Sequence, residues 1–300
     1  MNNYLLQERP GFSGLNHVLI AIGLFFLMKF IPFEPFASFF QTIISDPVIG
    51  IMCFLVICGG ALLPDMDNLK KDGGSAATWD LGVLGSIISS FMVTISSIMT
   101  SIFKGKKDIK HYDTQHRTFW HTFFVPIVMF LLMFFFIPES DLKLIDVFKE
   151  KIVPVYAVVV LFLILICIYV GSIMLLKKLN KFPLIRIKPS LIAMALSALG
   201  VGVCVAMCTE STLKLVAYCI ALGYSLHLFG DMFADGGIPA LFPITGIFGK
   251  FFMRIHFLPR ALTVTTGSTL ESLLKIAFFA VDCGLALLFF FSINVFQIPA

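Results

Sequence analysis

Long apolar runs recur along the chain, separated by short charged segments. A membrane span needs about 20 mostly apolar residues. By that measure the pattern predicts transmembrane helices over 17–33, 47–63, 118–137, 152–176, 189–207, 213–229 and 273–292. An eighth stretch, Gly82–Phe103, is long enough but carries Ser86, Ser89, Ser90, Thr94, Ser96, Ser97, Thr100 and Ser101. It either spans or lies in the interface as an amphipathic segment. The predicted fold is therefore all-α, a polytopic membrane helix bundle of about seven transmembrane helices plus an interfacial or re-entrant segment near 82–103. No internal repeat, low-complexity tract or long linker interrupts it, so residues 1–300 read as a single integral membrane domain.

Composition supports this class. The chain is 58% hydrophobic and 13% charged, with a mean hydropathy of +0.96. Soluble domains are nearer half apolar and a quarter charged, so a water-soluble globule is excluded. The first sixteen residues are polar and include Glu8 and Arg9, with no small-residue cleavage site after the first apolar run. That run is expected to stay as a span. The seven Cys form no CxxC pair and read as small buried hydrophobes.

Charge placement orients the bundle. With seven spans, one side collects Arg9, Lys70, Lys71, Lys104, Lys106, Lys107, Lys110, Arg117, Lys177, Lys178, Lys181, Arg186, Lys188, Lys250, Arg254 and Arg260. The other side keeps Lys29, Lys143, Lys149, Lys151 and Lys214 beside Glu139, Asp141, Asp146 and Glu150. The positive-inside rule makes the first side cytoplasmic.

Ionisable residues at the ends of these runs are the candidate chemistry, because an Asp at a span's centre costs roughly 2.5–3.5 kcal/mol. Asp65 and Asp67 follow Pro64, which ends the second run, and two carboxylates one residue apart can share a hard cation. His116 and His121 flank the start of the next run. His227 and Asp231 are spaced i, i+4, on one helical face. His17 heads the first run and Glu271 the last. The seven-span topology places all of these on one side. Taken singly, each also has an ordinary reading as an interfacial anchor or a helix-end charge.

These segments together resemble the YdjM-like, LexA-associated bacterial inner-membrane metal-dependent hydrolases. The resemblance rests on Asn16-His17-Val18, on Leu63-Pro64-Asp65-Met66-Asp67-Asn68 for L-P-D-x-D-H, and on His116 to Thr122 for H-R-G-x-T-H-S. It continues through His227, Asp231, Gly237, Pro239 and Pro243 for H-x-x-x-D with G-x-P, and ends on Thr266 to Glu271 for T-G-S-x-x-E. Asn68, Thr118 and Trp120 depart from the pattern, where His, Gly and Thr are usual.

The resemblance implies a hydrolase of phosphoesters, with lipid head groups among the candidate substrates, similar to zinc-dependent phospholipase C. On that reading His17, Asp65, His116, His121, His227 and Asp231 would hold one or more divalent ions, zinc first and manganese or magnesium as alternatives. Such an ion lowers the pKa of water to roughly 7. Arg117 would pair with the phosphate, and Asp67 or Glu271 would bridge a second ion or accept a proton. The expected partners are the lipid bilayer and a small phosphoester or lipid substrate, with no nucleic acid. A transporter or channel using the same groups, or an inactive scaffold, remains the alternative. Oligomeric state leaves no mark in the sequence.

Overall fold

Two features of the second apolar run set the architecture: an N-terminal cap and a pair of glycines. Asp46 accepts from the Val48 and Ile49 amides, at 3.0 and 3.2 Å, and Pro47 opens the helix with its fixed φ. Gly59 and Gly60 close it against two different neighbours. The computed structural model describes residues 14–30, 39–41, 43, 45–67, 81–103, 119–149, 154–179, 188–233, 237–244, 255, 257 and 269–295. Among them run α1 (Gly14–Met28), α2 (Pro47–Gly60), α3 (Gly82–Phe103), α4 (Phe124–Phe136), α5 (Leu144–Lys149), α6 (Val155–Leu179), α7 (Pro189–Met207), α8 (Glu210–Asp231) and α9 (Thr269–Val295). Two 3-10 turns, Pro64–Asp67 and Phe119–His121, complete the list, and the described residues form no strand.

The chain is thus the expected all-α membrane bundle. Five segments are long and apolar enough to cross a membrane: Pro47–Asp67, Gly82–Met99, Val155–Lys177, Pro189–Met207 and Glu210–Asp231. α1 and α4 are shorter apolar helices, of 15 and 13 residues. α9 runs 27 residues. Its ionisable side chains Glu271, Lys275 and Asp282 are spaced by four and seven, on one stripe. Large apolar side chains cover the outside, Phe135 at 74% and Val155 at 77% exposed among them. In water such a surface would be an aggregation liability, and in lipid it is the ordinary exterior.

α2 is the central post, packed on both α6 and α8. A Cβ on Gly59 would lie 2.0 Å from the Cys167 carbonyl oxygen of α6, and one on Gly60 would lie 2.7 Å from that of Ile220 on α8. Close backbone approach through small residues is how helices associate where lipid removes the hydrophobic drive between them. α8 is capped by Thr209, whose hydroxyl accepts from the Thr212 amide at 3.2 Å.

The helix ends sort into two sets. One end of the bundle gathers the Glu139–Lys214 ion pair at 2.9 Å, the Tyr156 hydroxyl donating to Glu210, and the Leu144 amide on the Cys208 carbonyl. The other end gathers the start of α1, both 3-10 turns, and the close of α8. The start of α9 joins it through Asn16, which donates to Glu271 at 2.9 Å.

α3 meets this second end through both 3-10 turns. The Trp120 indole N–H donates to the Met92 carbonyl at 2.6 Å, near the helix midpoint. Around its circumference the helix presents three stripes. Gly85, Ser89, Met92 and Ser96 are buried. Val83, Ile87, Phe91, Ile98 and Ile102 form an exposed apolar stripe. Ser86, Ser90, Ser97 and Ser101 line a third, exposed polar stripe. Hydroxyls at Ser86, Thr94 and Ser101 are turned back on the carbonyls four residues earlier, which satisfies them without an outside partner.

Candidate metal centre

Two helices and two 3-10 turns bring buried imidazoles and carboxylates together at the second end. His17 stands in the first turn of α1, Asp65 and Asp67 in the turn that Pro64 starts after α2, His121 in the turn before α4, and His227 and Asp231 in the last turns of α8. All are fully buried except Asp65, at 17% exposure, where the cluster meets solvent. His116 and Arg117 lie outside the described residues.

The tautomer of His227 follows from its surroundings. Its Nδ1 lies 2.7 Å from the Ala61 carbonyl oxygen, an acceptor only, so Nδ1 carries the proton. Nε2 is then the lone-pair nitrogen. It is buried and makes no hydrogen bond among the described residues. It points into a ring of oxygens and another imidazole. Asp231 Oδ2 is 3.3 Å away and Asp65 Oδ1 3.7 Å. His121 Nε2 closes the ring, 3.6 Å from the same Asp65 oxygen and 3.5 Å from the same Asp231 oxygen.

These separations test the fit of a metal. Ligands at about 2.0–2.1 Å in a tetrahedron stand about 3.3–3.4 Å apart. The four nitrogen–oxygen edges here, 3.3 to 3.7 Å, are close to that. The buried groups His17, His227, Asp231 and Asp65, His121, His227 could each hold a metal ion. The neighbours serve the ligands as metal sites require. Asp67 Oδ2 sits 3.6 Å from His121 Nδ1, on the far side of that ring from the cage. The Asp67 position therefore differs from a place on the reacting side: it backs an imidazole.

Glu271 is at the same end, 1% exposed, and its carboxylate meets Asn16 at 2.9 Å and Lys275 at 3.2 Å. Asn16 is the residue before His17, so Glu271 is tied to the start of α1. Trp120, a departure from the motif, has a structural use: its indole fixes α3, and its carbonyl accepts from the Tyr224 hydroxyl. Sequence patterns gave no sign of the Ala61 carbonyl, because a backbone acceptor has no residue signature. A helix end four residues before Pro64, leaving carbonyls unsatisfied, was the available clue.

Electrostatics tie His121 to its carboxylates. Burial alone would lower its pKa, but Asp67, Asp65 and Asp231 outweigh burial and raise it from 6.5 to about 9. The folded value lies above the unfolded one, so in metal-free protein this contribution is complete below pH 6.5 and lost as pH rises through about 9. Metal-free protein in chelator is expected to melt at progressively lower temperature between those limits. Binding of a divalent ion, which requires the neutral ring, should tighten over the same range. Thermal unfolding and metal titration at several pH values check both. A melting temperature that is flat or rising across the range would remove the charged His121 from the account.

Comparison of the chain with protein-family models, curated proteins and solved structures gives no match.

Proposed function

We propose that the protein is a membrane-embedded, metal-dependent hydrolase of phosphoesters, its centre at the cytoplasmic face of a bacterial inner membrane. The observation that carries this reading is the buried cage of Asp65 Oδ1, His121 Nε2, His227 Nε2 and Asp231 Oδ2, whose nitrogen–oxygen edges of 3.3 to 3.7 Å suit ligands around one ion. Two imidazoles and two carboxylates favour zinc, and manganese is the next choice. The motif resemblance points the same way. A divalent ion bound there supplies a Lewis acid and a water of lowered pKa.

The chain's own residues have separable tasks. The Ala61 carbonyl and Asp67 fix the orientations of His227 and His121. Asp65, the partly exposed member, marks the side from which substrate and water arrive. Arg117, four residues before His121, would pair with the phosphate. With α3 taken as the interfacial segment and not as a span, its apolar stripe in acyl chains and its Ser stripe toward head groups, the centre would sit at the depth of lipid phosphates. A place at helix ends also suits hydrolysis better than translocation, since transport sites lie near the bilayer midplane.

The test is turnover by detergent-purified protein on a phospholipid and on a generic soluble phosphodiester, after chelation and after zinc or manganese is restored. Metal-restored hydrolysis that His121→Ala lowers by about 100-fold or more is expected. Full metal occupancy with no turnover on either substrate would sink the hydrolase reading and leave a metal-binding membrane protein.

A further inference from the structure

We propose that the centre holds two divalent cations bridged by the Asp231 carboxylate, the second seated on His17; this rests on the metal-dependent reading above. The cage uses Asp231 Oδ2. The other oxygen, Oδ1, lies 3.5 Å from His17 Nε2, a separation matching the cage edges. His17 is completely buried on α1, and its ring stacks on His227 with centroids 3.8 Å apart and planes 26° from parallel.

One imidazole nitrogen ligates one ion. His227 Nδ1 is occupied by Ala61, so His227 serves the cage through Nε2 and cannot serve a second position as well. Two stacked rings, each with Nε2 beside a different oxygen of one carboxylate, place their ions about one ring spacing apart. That spacing, 3.8 Å between centroids, falls within the roughly 3.5–4 Å of two-metal hydrolytic sites, where paired ions clamp attacking and leaving oxygens.

Charge favours the same arrangement. Asp65, Asp67 and Asp231 bring three negative charges into one buried cluster. With neutral imidazoles, one dication leaves a net charge of −1 and two give +1. Of the two states, the second attracts an anionic phosphoester, the substrate class already proposed.

Full-length protein in detergent, stripped with chelator and reloaded with manganese, would be measured by elemental analysis and by electron paramagnetic resonance. The expected result is two manganese ions per chain with an exchange-coupled spectrum. His17→Ala is expected to give one ion and an isolated six-line spectrum. A single, uncoupled ion in the wild type, unchanged by His17→Ala, would overturn the proposal: His17 would then only orient Asp231, and the one-metal hydrolase reading would stand. No ion in the wild type would remove both. Should His17→Ala fail to fold, the wild-type count and spectrum decide on their own.

Discussion

Asp231→Asn is expected to lose its metal entirely at micromolar free ion, while remaining folded. The substitution preserves side-chain volume and the last turn of α8. What it removes is the charge that faces three imidazoles at once: His17 at 3.5 Å, His121 at 3.5 Å and His227 at 3.3 Å. Substituting a residue that merely orients a ligand weakens metal binding about 10- to 100-fold, so substituting a ligand that reaches all three rings should exceed that. Stability of the metal-free protein should change far less, because Asp65 and Asp67 remain to hold the His121 cation. Glu271→Gln is the matched control. Its carboxylate contacts Asn16 and Lys275, so its metal content should stay at the wild-type level. Elemental analysis of the two variants beside wild type separates the outcomes. Equal metal in Asp231→Asn and wild type would dismiss the cage.

Much of the fold was legible because lipid as solvent permits few solutions. Backbone groups must be satisfied within each segment, so apolar runs become helices. The runs at 189–207 and 213–229 coincide closely with α7 and α8. Hydropathy overshot where local chemistry stops a helix before apolarity ends. α1 gives way to a turn at Lys29 and Phe30, and α4 starts six residues later than predicted, behind the His121 turn, with Pro126 in its first turn.

The site was legible in part. The i, i+4 spacing of His227 and Asp231 was read from helix geometry alone, and they stand 3.3 Å apart. Their spacing marks Asp65 and Asp67 as carboxylates able to share a hard cation, yet the turn aims them at opposite nitrogens of His121. Neighbours in a 3-10 turn diverge, and no spacing rule reveals where each one points. His17 and Asp231 are 214 positions apart in the chain. Only the sorting of helix ends linked them, and that sorting fixes an end of the bundle, not a distance.

That sorting depends on α2, and a single methyl group there should undo it. Gly59→Ala is expected to lower the melting temperature of the detergent-solubilised protein more than any other Gly→Ala change in the described helices. The added Cβ would stand 2.0 Å from the Cys167 carbonyl oxygen and 2.4 Å from its carbonyl carbon and Cα. These are backbone atoms of a buried helix, so no rotamer change relieves the overlap and α2 must part from α6. Overpacking in a close-packed core typically costs about 1–3 kcal/mol, and a backbone-to-backbone clash belongs at or beyond the upper end. Gly223→Ala should behave similarly, since its Cβ would lie 2.3 Å from the Ile57 oxygen of α2. Gly202→Ala and Gly284→Ala meet nothing within 4 Å and should be neutral. The consequence reaches the centre because Ala61, Asp65 and Asp67 follow Gly59 within eight residues. As α2 shifts, the Ala61 carbonyl leaves His227 and the Asp65 oxygen leaves the cage. Gly59→Ala should therefore weaken metal binding without touching a ligand. If Gly59→Ala melts like Gly202→Ala, the close approach of α2 and α6 is not what sets the site.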